Sequence, residues 1–144
     1  SNNELPVRLG RGKVLITVPE ENAIRLPSGL LMRYEDLDYE TGEMGKEFSY
    51  QTRRGRTRIY GGKVVENVCQ AIARCIIGEQ MLKINKKHRA VLTVHDSIVC
   101  CVKDEEVTDA QKYIEECMRW TPEWADGLPI NCESGTGKTY GDCE

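Results

Sequence analysis

AVLTVHDSIVCCVK, residues 90–103, reads as two short runs of strand-formers, AVLTV and IVCCV, with His95, Asp96 and Ser97 where they meet. β-Branched and aliphatic residues suit a pleated, half-buried surface, so the stretch predicts a hairpin. Its tip would carry a histidine, a carboxylate and a hydroxyl.

Upstream of this hairpin the spacing predicts a helix over 63–85, preceded by Gly61-Gly62 and free of proline. Val65, Val68, Cys69, Ile72 and Ile76 recur at three- and four-residue steps and predict a buried stripe. Lys63, Asn67, Gln70 and Arg74 recur similarly on another side, giving an amide pair flanked by cations. Amides both donate and accept, as groove-edge contacts with a duplex require; a solvated helix face is the alternative. Downstream, a second helix is expected over 105–120, with Val107, Tyr113 or Ile114, and Cys117 inward, closed by Pro122. LPINCE (128–133) is expected to form a last short strand.

Near the start, KVLITV (13–18) and GLLMRY (29–34), the latter entered through LPSG (26–29), predict a hairpin with a long connection. Residues 35–60 read as loop with some extended structure. The order β-β, long helix, β-β, helix, β predicts an α+β fold: a mainly antiparallel sheet with helices on one face. A length of 144 residues fits one domain. Residues 1–3, Ser-Asn-Asn, lack an initiator methionine and are expected to be a tag remnant or the edge of an excised fragment.

Composition narrows the function classes. The apolar runs are far shorter than the roughly 20 residues of a membrane span, and no secretory pattern opens the sequence. Seven cysteines in odd number, with no CxxC pair and two histidines, argue against a disulfide scaffold or a zinc site. Most are expected to be small buried hydrophobes in a reducing compartment. The net charge of −3 hides an asymmetry. Lys46, Arg53, Arg54, Arg56, Arg58 and Lys63 crowd 46–63 beside Glu47, KKHR occupies 86–89, and the segment from Asp104 onward is acidic. Distant acids do not cancel such patches, because screening acts over roughly 10 Å. They read either as solvated faces or as contacts with a phosphate backbone.

His95, Asp96 and Ser97 do not make a hydrolytic triad, since alternation along a strand sends neighbours to opposite faces and no GxSxG elbow is present. A carboxylate at a rigid hairpin tip suits a hard cation such as magnesium, the ion of two-metal phosphoryl transfer. A second carboxylate would be needed, and Asp36, Asp38 and the acids after 104 are candidates by composition. SGTGKTYG (134–141) imitates a nucleotide loop, but Cys132 stands where that pattern needs glycine; a C-terminal turn is expected instead.

IYGGKVVENVCQAIARCIIGEQML (59–82), LTVHDSIV (92–99) and the ending TPEWADGLPINCESGTGKTYGDCE together resemble the family A (Pol I-like) DNA polymerases, in particular the bacteriophage members. The resemblance runs from about residue 24 onward. It implies a polymerase palm in which Asp96 is a ligand of the catalytic Mg2+ ions and His95 helps place the primer end. It also implies that Gln70 and, less directly, Asn67 touch the DNA minor groove; Arg74 and the basic run 53–58, which match no family role, are then expected toward the phosphates, and the helix stripe adds Lys63 to the expected DNA-binding residues. Ser97 stands where the family has a glutamate. The DYSxxE-like segment and the fingers helix that binds the deoxynucleoside triphosphate are absent from these residues. Residues 1–144 are therefore expected to be a single partial domain, the C-terminal palm portion of a polymerase, inactive alone. The parent would act on primer-template DNA and deoxynucleoside triphosphates in the cytoplasm of a phage-infected bacterium, with an unspecified accessory replication protein as a further partner. A non-catalytic nucleic-acid-binding module from a degenerate polymerase is the alternative, and a structural α+β domain with protein partners is a second.

Overall fold

Seven strands precede the long helix among the described residues, where the sequence predicts two and reads 35–60 as loop with some extended structure. The computed structural model describes residues 5–9, 14–18, 22–43 and 45–143. Residues 1–3 and Lys13 therefore lie outside the described residues. The fold is α+β, with all strand pairs among the described residues antiparallel, in two compact units, Ser1–Ile72 and Ala73–Glu144.

In the first unit β1 (Leu5–Leu9), β2 (Val14–Val18), β3 (Ala23–Arg25) and β4 (Leu31–Arg33) form one sheet in that order. The expected pairing of 13–18 with 29–34 is thus corrected, because the short β3 lies between them. Its partner is β4, set by the LPSG turn: Gly29 sits at φ +88° and its N–H donates to the Leu26 carbonyl at 2.9 Å.

The second sheet, β5 (Asp38–Gly42), β6 (Gly45–Thr52) and β7 (Gly55–Ile59), occupies the predicted loop. Its strands carry charge on both faces and β5 is exposed along its whole length, so no apolar alternation marks it. Cross-strand side chains hold it together. Tyr39 stacks on Phe48 at 5.7 Å, Arg58 pairs with Glu47 at 3.0 Å, and Arg56 reaches Ser49 and Asp36 at 2.9 and 2.7 Å. Among the described residues Ile16, Ala23, Leu26, Tyr34, Ile59 and Val68 are the buried apolar ones here, and Tyr50 meets the Tyr34 ring edge-on at 5.1 Å.

Helix α1 runs unbroken from Gly61 to Ile84. Of its predicted buried stripe, Val68 and Ile76 are buried and Ile72 half-buried, but Val65 and Cys69 are exposed. The buried row steps by four, through Val68, Ile72, Ile76, Gln80 and Ile84. Cys69 lies about 100° around the helix from its neighbour Val68, which takes it off that row. The expectation of mostly buried cysteines is corrected as well, since Cys117 alone is buried while Cys69 and Cys101 are exposed.

In the second unit β8 (Ala90–Val94) and β9 (Ser97–Cys100) form the predicted hairpin, separate from the other two sheets rather than part of one. After a 3-10 turn at Asp104–Glu106, α2 spans Val107–Arg119. The two helices close each other's ends. Gln80 of α1 donates its amide to the carbonyls of Met118 and Trp120, at 2.7 and 2.9 Å. Tyr113 of α2 donates its hydroxyl to the Lys83 carbonyl at 2.9 Å. Carbonyls at both helix ends thereby gain side-chain donors, the Lys83 carbonyl in addition to the Lys86 N–H at 3.2 Å.

The strand expected at 128–133 is not there. That segment and the tail after it run back along α2, held by side chains and not by a ladder. Arg119 contacts Asn131, Cys132 donates to the Glu115 carbonyl, Ser134 joins Gln111 and Glu115, and Lys138 pairs with Asp104. The Ser134 hydroxyl and then the Arg119 guanidinium hold the Glu115 carboxyl below its usual range. The hydroxyl and N–H of Thr139 do the same for Asp142. Carboxyls depressed by folding stabilise above their unfolded pKa, and that contribution is lost as pH falls through the folded value, here below about pH 4. Since Asp142 bonds within the tail and Glu115 bonds the tail to α2, protonation of Glu115 is expected to loosen the segment around Ser134 from α2 in acid before the helices unfold. An acid titration of the amide resonances of 131–134 checks this; resonances that move only with global unfolding would contradict it.

Candidate functional site

The pairing of Val94 with Ser97 leaves His95 and Asp96 as the two central residues of a tight turn. His95 takes the left-handed conformation, φ +54°. Histidine enters this region more readily than a β-branched residue, yet the strain is still of the order of 1 kcal/mol or more. The turn leaves His95, Asp96 and Ser97 exposed. A register irregularity between Ala90 and Leu92 marks a bulge in β8, a feature that bends a strand and re-aims its side chains.

Asp96 supplies hard oxygen donors suited to magnesium. Among the described residues no group of three or more His, Cys, Asp or Glu converges to hold a metal ion. Of the carboxylates considered as second ligands, Asp36 pairs with Arg56, Asp38 accepts from the Tyr39 N–H, and Glu115, among the acids after 104, pairs with Arg119. Asp96 by itself does not make a metal site, which needs further oxygen ligands.

The polar stripe is continuous on α1, because residues 63, 67, 70 and 74 fall within about 60° of one another around an unbroken helix. Its members differ in availability. Lys63 pairs with Glu66 at 2.8 Å, and that hydrogen bond raises its pKa, so it stays cationic. Asn67 is half-buried and donates to the Tyr34 hydroxyl at 3.3 Å. Gln70 and Arg74 are exposed.

One feature of the basic run becomes visible only in the fold. Thr52 pairs with Gly55, so Arg53 and Arg54 are the exposed central residues of the β6–β7 turn. The Thr52 hydroxyl donates to the Gly55 carbonyl at 2.6 Å and accepts from the Arg54 N–H at 3.2 Å, which stiffens the turn. Arg56 and Arg58 on the strand have carboxylate partners.

The SGTGKTYG segment ends in a 3-10 turn, Tyr140–Asp142, capped by Thr139. A Cβ at Gly135 would collide with the Cys143 carbonyl, and one at Gly137 with Asp142. These glycines allow the tail to fold against itself. Among the described residues no helix is long and apolar enough to cross a membrane.

The chain is similar to a DNA polymerase of Bacillus phage SP02, 32% identical over 136 residues, covering 89% of this chain and 21% of that protein. The relationship is to a nucleic-acid polymerase. The chain spans about a fifth of that relative's length. No protein-family model matches the chain, and no solved structure does.

Proposed function

We propose that the chain is the palm portion, bearing the catalytic hairpin, of a template-directed DNA polymerase of family A and bacteriophage type. The observation that carries this reading is the exposed His95-Asp96 turn, in a chain whose similarity to a phage DNA polymerase extends over 89% of its length. The parent would join a primer 3′-hydroxyl to the α-phosphate of a deoxynucleoside triphosphate and release pyrophosphate, inside the infected bacterial cell.

Asp96 would hold Mg2+ together with carboxylates from upstream in the parent. When bound, such ions activate the attacking hydroxyl and support the leaving group. His95, fixed by the turn, would orient the primer end, and Ser97 gives the site a hydroxyl where the resembled family has a carboxylate. Gln70, with Asn67 behind it, would meet the minor-groove acceptors, which are alike for every base pair and so report geometry rather than sequence. Lys63, Arg74 and the Arg53-Arg54 turn would neutralise phosphates.

Primer extension by the full-length parent tests the reading. Templated incorporation is expected, and its absence moves the assignment to a nucleic-acid-binding module without catalysis. The isolated chain is expected to bind primer-template DNA weakly and to incorporate nothing. Replacing Arg53 and Arg54 together with Gln should weaken that binding about tenfold at low salt, since each lost phosphate contact removes counterion release. Fluorescence anisotropy that does not change in the double variant would remove this turn from the interface.

A further inference from the structure

We propose that the groove at the base of the β8–β9 hairpin, at the end opposite its tip, binds the phosphodiester backbone of a nucleic-acid strand. The groove is open, with a volume of about 400 Å3, and Lys87, His88, Arg89, Lys103 and Glu106 line it. Three permanent cations and an imidazole thus face one carboxylate, in a chain of net charge −3. The strand pairing assembles this cluster, since Ala90 lies opposite Cys100 and brings 87–89 beside 101–103. The five residues of β8 separate it from Asp96 by about 17 Å, so it is not part of the hairpin-tip site.

The groove is partly organised before any ligand arrives. The Lys87 ammonium lies 4.2 Å from the Tyr113 ring centre, and the His88 ring meets the same tyrosine at 5.8 Å. Tyr113 is itself fixed by its bond to the Lys83 carbonyl. Lys103 has only a loose partner, Glu106 at 3.9 Å, and Arg89 is exposed with no ion pair among the described residues. The dipole at the C-terminal end of α1 accounts for a cation such as Lys83 in its last turn. It does not account for Arg89 and Lys103, because that field falls off within the last turn. A guanidinium fork beside ammonium groups matches successive phosphates, and an open groove admits a polymer where an enclosed pocket would hold one small anion.

This inference does not require the polymerase reading, and its test is separate from primer extension. The double variant Arg89→Gln with Lys103→Gln alters only exposed side chains of the full chain. Its affinity for a fluorescein-labelled DNA duplex at low salt should fall about tenfold, and the slope of log K against log salt should become shallower by about 1.8, near 0.9 per phosphate. In the unaltered chain, the same duplex should shift the amide resonances of 87–89 and 101–103. Unchanged slope and affinity, or resonances that stay in place, overturn the proposal; so does a chain that binds no DNA.

Discussion

Asp96→Asn in the full-length parent is expected to lower primer extension by about a thousandfold while leaving primer-template affinity nearly unchanged. A metal ligand is worth several kcal/mol of transition-state stabilisation, and each 1.36 kcal/mol is tenfold in rate. The substitution suits this question because it cannot easily damage the fold. Asp96 is exposed at a two-residue turn, and asparagine is as compatible with such a turn as aspartate. Lost extension would therefore report chemistry and not misfolding. Extension equal to the wild type would remove Asp96 from the reaction and leave the hairpin with a binding role.

Gln80→Leu should cost about 3 kcal/mol of stability and lower Tm by roughly 10 °C. Gln80 is completely buried and donates to two carbonyls at the end of α2. Leucine keeps the volume, so the cost comes from the carbonyls of Met118 and Trp120, which lose their side-chain donor. One compensation works the other way, since the Gln80 Oε1 is a buried acceptor without a partner and leucine removes it. The reciprocal bond, Tyr113 to Lys83, is partly exposed, so Tyr113→Phe should cost only about 1 kcal/mol. Urea unfolding of both variants gives the comparison. A leucine variant as stable as the wild type would mean that the end of α2 finds donors elsewhere.

The two helices and the His95-Asp96 hairpin were legible because their signals are local. Apolar spacing marks α1, and two strand-forming runs around a short polar junction mark β8–β9. Val65 and Cys69 misled because the three-and-four spacing that includes them also fits a row in steps of four that excludes them, and only the neighbours of the helix choose between the two. The sheet at 38–59 was illegible for another reason. Cross-strand pairs such as Tyr39 with Phe48 and Arg58 with Glu47 hold it, and a pair distant in sequence has no periodicity.

The candidate site divides similarly. His95, Asp96 and the row Lys63, Asn67, Gln70, Arg74 follow from sequence, since a turn and a helix place their own residues. That Asn67 is tied to Tyr34, or that Gln80 serves as a helix cap, depends on groups more than thirty residues away. The glycines of SGTGKTYG look like a phosphate loop in one dimension and are a close approach of the tail to itself in three. The sequence by itself determined the helices, the hairpin and the residues at its tip, because each is governed by bonds within a few residues. The tertiary structure decided which polar groups are engaged and which stay exposed, because a hydrogen bond or ion pair depends on where distant segments come to lie.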